Sequence, residues 1–250
     1  SGNYKNSFGL LPTNPEEIIN IVNQMSPKLS CGFDDIPTSI MKLAINVVAE
    51  PITEIINKSF STGIFPDLLK IAKVRPVFKS GSKSEFTNYR PISVLPNFSK
   101  IFEKLMYNRL MTYLNQHSVL HNNQFGFRSD NSTIMAIVEM TEKISAALDS
   151  KQFAVGVFVD LSRAFDTLNH EILLHKLQHY GIRGTVLSWF RSYLEHRLQF
   201  VEYNNALSEK LKICCGVPQG SILGPLLFIL CVCILMTFKI AQIALKFSML

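Results

Sequence analysis

The acidic residues of this chain stop abruptly. All 19 aspartates and glutamates lie in the first 209 of the 250 positions, so residues 210–250 contain none. Between Ile213 and Phe238 there is no charged residue of either sign. A site that needs several carboxylates therefore cannot draw them from this part of the chain.

Paired cysteines are also missing. None of the five cysteines forms a CxxC pair, and four of them lie in the last 40 residues, so neither a zinc ribbon nor a disulfide framework is indicated. The first ten residues, SGNYKNSFGL, match neither a signal peptide nor an amphipathic transit peptide. We therefore expect reduced thiols and an intracellular location, nuclear or cytoplasmic, for a protein that is not secreted. The sequence does not begin with Met, which suggests a piece of something longer.

The composition indicates a folded, basic protein. Hydrophobic residues make up 47% and charged residues 18% of the chain, which excludes a disordered composition. The net charge is +6, and residues 70–109 hold nine lysines and arginines against two acids. Such a block favours a polyanionic partner such as nucleic acid. On charge alone, a solvated basic face is an equally good interpretation.

Periodicity and cap residues predict a mixed α/β chain. In the first part, helices are expected over 15–25, 38–48, 51–60, 98–116 and 132–148. A strand is expected over 71–79, with Pro76 favouring a sheet edge, and residues 81–91 look like a polar connector. In the second part, we expect a strand over 153–160, helices over 169–180 and 185–196, and a hairpin from 197–203 and 209–217.

The stretch AVGVFVDLSRAFDTL, residues 154–168, places a carboxylate after a run of β-formers. A carboxylate that ends a buried strand is costly unless it is paired or holds a metal. Asp160 is therefore a candidate metal ligand. Taken alone, an N-cap for the next helix would be the preferred explanation.

Four phrases occur in a fixed order: RPVFKSGSK to NYRPIS (75–93), QFGFRSDNST (124–133), FVDLSRAFDTLNH (158–170) and GVPQGSILGPLLF (216–228). Together with GFDDIP and STGIFPDLLKIAKVRPVFK (61–79), this wording resembles the reverse transcriptase domain of non-LTR (LINE-like) retrotransposons. The resemblance implies a right-hand polymerase fold with fingers, an antiparallel palm sheet left incomplete, and no thumb. The expected parts are an N-terminal helical fingers extension (1–60), fingers (61–152), a partial palm (153–230) and a divergent apolar tail (231–250).

The same resemblance implies RNA-templated DNA synthesis by nucleotidyl transfer. Two Mg²⁺ ions, roughly 3.5–4 Å apart, would activate the primer 3′-OH and stabilise the leaving pyrophosphate. Asp160 matches the first catalytic, metal-binding aspartate, and the Leu161 carbonyl is expected beside it. Phe165 matches the aromatic residue beneath the incoming sugar, which favours a dNTP over an rNTP. Asp166 is expected only to cap a helix over 167–180.

The other implied contacts are with nucleotide, template and primer. Arg90 and Lys79 match basic residues on the triphosphate, where arginine can bind bidentately, and Gln219 belongs to the nucleotide-binding loop. The residues expected to contact the RNA template and DNA primer are Gln124, Phe127, Arg128, Gly216, Pro218 and Gly220. Glycines in that loop would allow close approach of nucleic acid.

The chain departs from the family pattern near Leu230. Two further carboxylates are expected as an adjacent Asp-Asp pair after the GVPQGS helix, but the sequence continues FILCVCILMTFKIAQIALKFSML. A frameshift, an altered splice or a decayed copy would each explain this, and we expect no useful polymerisation by this chain. The alternatives are a non-catalytic nucleic-acid-binding remnant or, less favoured, a membrane anchor formed by the 17 uncharged residues 222–238.

Two further clusters of residues are not expected to have a catalytic or binding role. Glu171, His175 and His179 follow helical spacing and could imitate a metal site, but an exposed polar helix face is the simpler explanation. Trp189, Phe190 and Tyr193 could stack on bases, but at helical spacing they are expected to be core residues.

Overall fold

The computed structural model of the protein describes residues 6–128, 131–161, 164–204 and 206–232. These residues form seven α-helices and five strands, and the predicted α/β class is confirmed. The helices are α1 (Pro15–Gln24), α2 (Thr38–Thr62), α3 (Asn97–Gln116), α4 (Thr133–Asp149), α5 (His170–His179), α6 (Gly184–Leu194) and α7 (Leu223–Val232). The strands are β1 (Ile71–Phe78), β2 (Tyr89–Val94), β3 (Arg197–Tyr203), β4 (Ala206–Leu207) and β5 (Leu211–Ile213).

Helix boundaries follow the local cap signals. The Asn14 side chain accepts a hydrogen bond from the Glu17 N–H, and Pro15 opens α1, as predicted. The predicted break between residues 48 and 51 is wrong, because α2 runs continuously through Pro51. Helix α2 buries side chains on both sides of the proline, including Met41 and Ile56. Burial along the whole helix therefore outweighs the cost of an interior proline, about 3 kcal/mol.

The sheet is mixed, with strand order β2-β1-β3-β4 and β5 beside β3. Strand β1 pairs antiparallel with β2 but parallel with β3. The described sheet is therefore mixed, whereas a purely antiparallel sheet was expected. The prediction that β1 is an edge strand is wrong for the strand as a whole. Pairing with β3 ends at Val74, however, and Pro76 lies beyond it, opposite Pro91. Pro76 thus occupies a position where it does not have to donate to β3.

The predicted connector over 81–91 is replaced in part by β2, which begins at Tyr89. The predicted hairpin is confirmed, because β3 and β5 pair antiparallel from Arg197 opposite Ile213.

One hydrophobic core joins residues of α1, α2, α3, α5, α6 and α7. At its centre Trp189 is fully buried, stacks on Tyr193 with ring centroids 5.7 Å apart, and donates its Nε1–H to Ser59 Oγ at 3.0 Å. Phe60 and Phe65 approach Trp189 edge-on. The predicted core role of Trp189, Phe190 and Tyr193 is confirmed.

The predicted buried strand over 153–160 is wrong within the described structure. Residues 152–161 form neither helix nor strand, and Phe153, Val157 and Val159 are each more than 80% exposed. Helix α4 likewise has no buried residue. A strand needs a paired neighbour and a covering layer, and the described residues provide neither here. Exposed apolar side chains therefore occur both on α4 and along residues 153–161, and we call them together the exposed apolar surface.

No helix in the described ranges is both long enough and apolar enough to span a bilayer. Helix α7 is ten residues long. The apolar run continues over residues 233–238, and the predicted tail continues to residue 250. Both of these stretches lie outside the described residues.

Candidate functional site

Three of the quoted motifs meet through backbone hydrogen bonds. We call residues 216–221 the GVPQGS loop. Its Gly216 N–H donates to the Leu168 carbonyl at 2.7 Å, and its Val217 N–H donates to the Phe165 carbonyl at 2.8 Å. On the other side, the Ser93 N–H of β2 donates to the Gln219 carbonyl at 2.8 Å. The loop therefore lies between residues 165–168 and strand β2.

Two glycines make this approach possible. Gly216 has φ +83°, and a Cβ there would lie 2.7 Å from the carbonyl oxygens of Phe165 and Asp166. Gly220 has φ +116°, and a Cβ there would lie 2.7 Å from the Ser93 carbonyl oxygen. The sequence suggested that these glycines admit nucleic acid. In the structure, each is already required by neighbouring protein backbone.

Polar side chains fix the same loop. Gln219 Nε2 donates to Asp166 Oδ1 at 3.0 Å, which orients the predicted nucleotide-binding glutamine. His170 Nε2 lies 2.7 Å from the Gly216 carbonyl, so Nε2 carries the proton in this bond. The expectation that Asp166 caps the following helix is wrong. Helix α5 begins at His170, and the Asn169 side chain caps it by accepting from the Ile172 N–H.

An aromatic cluster lies against this loop. The Phe165 ring is partly buried, with its centroid 5.1 Å from that of Phe228 and 5.9 Å from that of Phe127. Phe127 is 55% exposed and has a left-handed φ of 59°. The structure thus brings the predicted sugar-contacting residue together with one residue of the predicted template-binding segment.

The rest of that segment is held by its own hydrogen bonds. Gln124 Nε2 donates to the Gly126 carbonyl at 3.0 Å, and Arg128 Nη1 donates to the His121 carbonyl at 3.2 Å. Among the described residues, these two side chains make no hydrogen bond to the GVPQGS loop. Pro218 is buried, and its carbonyl accepts from Ser221 Oγ at 2.8 Å.

The structure divides the basic block into paired and exposed members. Four of its nine cations form ion pairs within the described structure: Lys70 with Asp67, Lys73 with Asp35 and Glu202, Arg75 with Glu202, and Arg109 with Glu17. Lys79, Lys83 and Arg90 are exposed at the end of the β1–β2 hairpin, where Arg90 lies opposite Val77. Lys100 and Lys104 are half-buried, so the exposed cations of this block that form no ion pair among the described residues lie on this hairpin.

The predicted metal ligand lies apart from these contacts. Asp160 and the neighbouring Leu161 are exposed in the segment without helix or strand. Among the described residues, no hydrogen bond or ion pair involves the Asp160 side chain, and no three His, Cys, Asp or Glu side chains form a group that could hold a metal. Carboxylate oxygen is the ligand that Mg²⁺ prefers. One carboxylate nevertheless does not make a two-metal centre, so the described residues alone do not fit one.

The other metal-like spacing is explained by an ion pair. Arg191 Nη1 donates to Glu171 Oε1 at 2.7 Å, and this hydrogen bond holds the pKa of Glu171 below its usual range. His175 is exposed on the same helix. Glu171 and His175 are exposed and His179 is half-buried, as expected for a polar helix face.

Two charged residues near the GVPQGS loop were missed. Glu103 on α3 and Arg197 at the start of β3 are both fully buried. A signal for Glu103 was present in the sequence, because it lies three residues before Met106 and seven before Leu110, on the apolar face of α3. No local pattern marks Arg197.

Comparison with known proteins identifies the class of protein to which this arrangement belongs. Residues 79–243 match the family model described as "Reverse transcriptase (RNA-dependent DNA polymerase)". The chain therefore belongs to the reverse transcriptase family.

The relatives narrow the class to LINE-like, non-LTR retrotransposons. The chain is 33% identical over 230 residues to "Probable RNA-directed DNA polymerase from transposon BS" of Drosophila melanogaster. The aligned region covers 89% of this chain and 24% of the relative. The chain is 31% identical over 226 residues to "RNA-directed DNA polymerase from mobile element jockey" of the same species, covering 90% of this chain and 25% of the relative. The chain thus spans about a quarter of the length of these relatives.

Proposed function

We propose that this chain is the part of a retrotransposon reverse transcriptase that binds RNA template, DNA primer and dNTP, and that it does not synthesise DNA by itself. The observation that carries the proposal is the convergence of residues 165–168, the GVPQGS loop and β2 through short backbone hydrogen bonds. Motifs that are far apart in the sequence are thereby brought into contact. The exposed hairpin cations lie on the same strand pair as Ser93, which binds that loop.

Each side chain has a role that suits its chemistry. Arg90 and Lys79 bind the triphosphate of the nucleotide, since both are exposed on the hairpin. Phe165 lies beneath the sugar, and Gln219, held by Asp166, contacts the nucleotide. Phe127 offers an exposed ring for stacking on a template base. Gln124 and Arg128 position the segment that carries it.

In this proposal the chain supplies only part of a metal site. Asp160 and the Leu161 carbonyl are the proposed residues that would hold Mg²⁺, an ion that would supply stabilisation of negative charge in the transition state. Each metal ion stabilises transition-state charge by several kcal/mol, and each ~1.4 kcal/mol is worth tenfold in rate. Because residues 210–250 contain no acid, we expect polymerisation to be slower by many orders of magnitude than in an enzyme that carries all three carboxylates.

A primer-extension assay tests this part of the proposal. The chain is mixed with an RNA template annealed to a labelled DNA primer, all four dNTPs and either Mg²⁺ or Mn²⁺, beside the Asp160→Ala variant. We expect no extension above the level of the variant. Extension that Asp160→Ala abolishes would contradict the proposed inactivity while supporting the role of Asp160.

The proposed parts of the chain follow from the same assignment. Residues 1–60 would be a helical extension of the fingers, 61–152 the fingers and 153–230 part of the palm. Limited proteolysis with and without primer–template tests these boundaries. We also expect bound nucleic acid to protect the hairpin segment that carries Lys79, Lys83 and Arg90.

A further inference from the structure

A buried carboxylate connects the GVPQGS loop to helix α3. Glu103 is fully buried, and its Oε2 accepts hydrogen bonds from the backbone N–H groups of Ile222 at 2.6 Å and Leu223 at 3.2 Å. Its Oε1 accepts from Ser99 Oγ at 3.0 Å. Ile222 follows the loop directly, and Leu223 opens α7. One side chain therefore satisfies two donors that the start of α7 leaves free.

Burying the charges of Glu103 and its neighbour Arg197 costs free energy of desolvation. Burial raises the pKa of Glu103, while the positive charge of Arg197 acts in the opposite direction. Arg197 is itself fully buried, donates from Nη1 to the Tyr193 carbonyl at 2.9 Å, and lies 5.0 Å from the Tyr193 ring centroid. Among the described residues, its Nε and Nη2 have no hydrogen-bond partner. Buried charges of this kind add little stability compared with apolar residues of similar volume.

The position of the carboxylate suggests what it does instead. The loop is attached to residues 165–168 at one end and to β2 at Gln219. Within the loop, Ser221 Oγ donates to the Pro218 carbonyl at 2.8 Å and accepts from the Gly224 N–H at 3.0 Å. Glu103 provides the remaining attachment, at the junction between the loop and α7. Without it, the C-terminal end of the loop would have no polar contact with α3 among the described residues.

We propose that Glu103 is a positioning residue, which holds the GVPQGS loop in the arrangement that binds nucleotide and primer–template. It acts through the Ile222 and Leu223 amides and does not touch the ligands. The inference rests on the proposed function of the loop, and it adds a residue outside the motifs that indicated that function. A purely structural role in the core is the competing explanation.

Two substitutions separate these explanations. Glu103→Gln keeps a carbonyl oxygen that can accept from the two amides. Glu103→Met keeps similar length and fills the buried space but provides no strong acceptor. Leu110→Ala is the matched control: Leu110 is a fully buried residue of the same helix, and its truncation destabilises the core without removing a hydrogen bond to the loop.

The experiment measures hydrogen exchange and ligand binding on the full chain. In peptides covering 216–228, Glu103→Met should raise the exchange of the Ile222 and Leu223 amides about tenfold or more, and Glu103→Gln should restore most of the protection. The affinity for an RNA–DNA primer–template, measured by fluorescence anisotropy, should fall in the same order. Leu110→Ala should leave both quantities closer to wild type when compared under conditions of equal folded fraction.

The outcomes are distinguishable. Equal effects of Glu103→Met and Leu110→Ala on exchange and affinity would overturn the inference in favour of a structural role. Faster exchange with unchanged affinity would also overturn it, because the loop position would then not matter for binding. If the wild-type chain bound no primer–template, the proposed function would fail, and exchange alone would still decide whether Glu103 holds the loop.

Discussion

Replacing Gly216 by alanine tests whether the GVPQGS loop is built against residues 165–168 as described. The added Cβ would lie 2.7 Å from the Phe165 and Asp166 carbonyl oxygens and 2.8 Å from the Asp166 Cα. All three are backbone atoms, so no side chain can rotate away. The loop must move, and the hydrogen bonds donated by Gly216 and Val217 must lengthen or break.

The magnitude follows from these contacts. A non-glycine residue in the left-handed region costs roughly 1–2 kcal/mol. Two weakened backbone hydrogen bonds, one to a buried and one to a partly buried residue, add about 1–3 kcal/mol each if they are not replaced. We expect Gly216→Ala to lower the free energy of unfolding by about 3–8 kcal/mol, a large share of the ~5–15 kcal/mol typical of a folded domain.

Two other glycines provide controls for the same experiment. Gly184 has φ +56° but no atom within 4 Å of its added Cβ, so Gly184→Ala carries only the backbone strain. Gly9 has neither a left-handed φ nor a neighbour within 4 Å, so Gly9→Ala should change the unfolding free energy by less than about 0.5 kcal/mol. Urea unfolding followed by fluorescence of the single tryptophan, Trp189, reports all three variants. If Gly216→Ala cost no more than Gly184→Ala, the described loop packing would be refuted.

Two further outcomes are expected. Burial acts to raise the pKa of Glu17, but hydrogen bonds from Arg109 and Thr13 outweigh it and lower the pKa below its ordinary value of 4.5. The stabilisation from the ionised Glu17 is complete above that value and is lost as the pH falls through the lower folded-state pKa. In acid denaturation measured by circular dichroism, the wild type should therefore be more stable than Glu17→Gln near neutral pH and lose that extra stability in acid. A difference in stability that stays constant with pH would contradict this. The exposed apolar surface should cause concentration-dependent light scattering, which Ile137→Lys with Val157→Lys should reduce; Lys substitutions at the already polar positions 175 and 178 are the control, and equal scattering would count against the surface.

Local signals predicted most of the helices because they act within a few residues. Asn14 and Pro15 fix the start of α1, and Gly181 follows the end of α5. The helix break predicted at Pro51 was wrong because of tertiary packing, since burial of both halves of α2 maintains the helix across the proline. Residues 153–160 misled in the opposite direction. An apolar run shows only that burial would be favourable, and it does not show that a neighbouring strand is present.

The site was predictable at the level of motifs, and its geometry was not. Phe165, Gln219 and Gly216 were each expected at a nucleotide or nucleic-acid surface, and the structure brings them together through Asp166 and its neighbours. The contacts of Gly216 and Gly220 with protein backbone could not be predicted, because they depend on how distant segments pack. The burial of Glu103 beside the loop depends on the same packing.

Binding of primer–template tests the central claim most directly. The affinity of the chain for a labelled RNA–DNA duplex with a single-stranded template extension is measured by anisotropy across salt concentrations. Lys79→Ala is compared with Lys58→Ala, an exposed lysine on α2 with the same change in charge. The account predicts salt-dependent binding that Lys79→Ala weakens, with the log–log salt slope reduced by about 1, while Lys58→Ala matches wild type. No binding at low salt, or equal losses in the two variants, would contradict it.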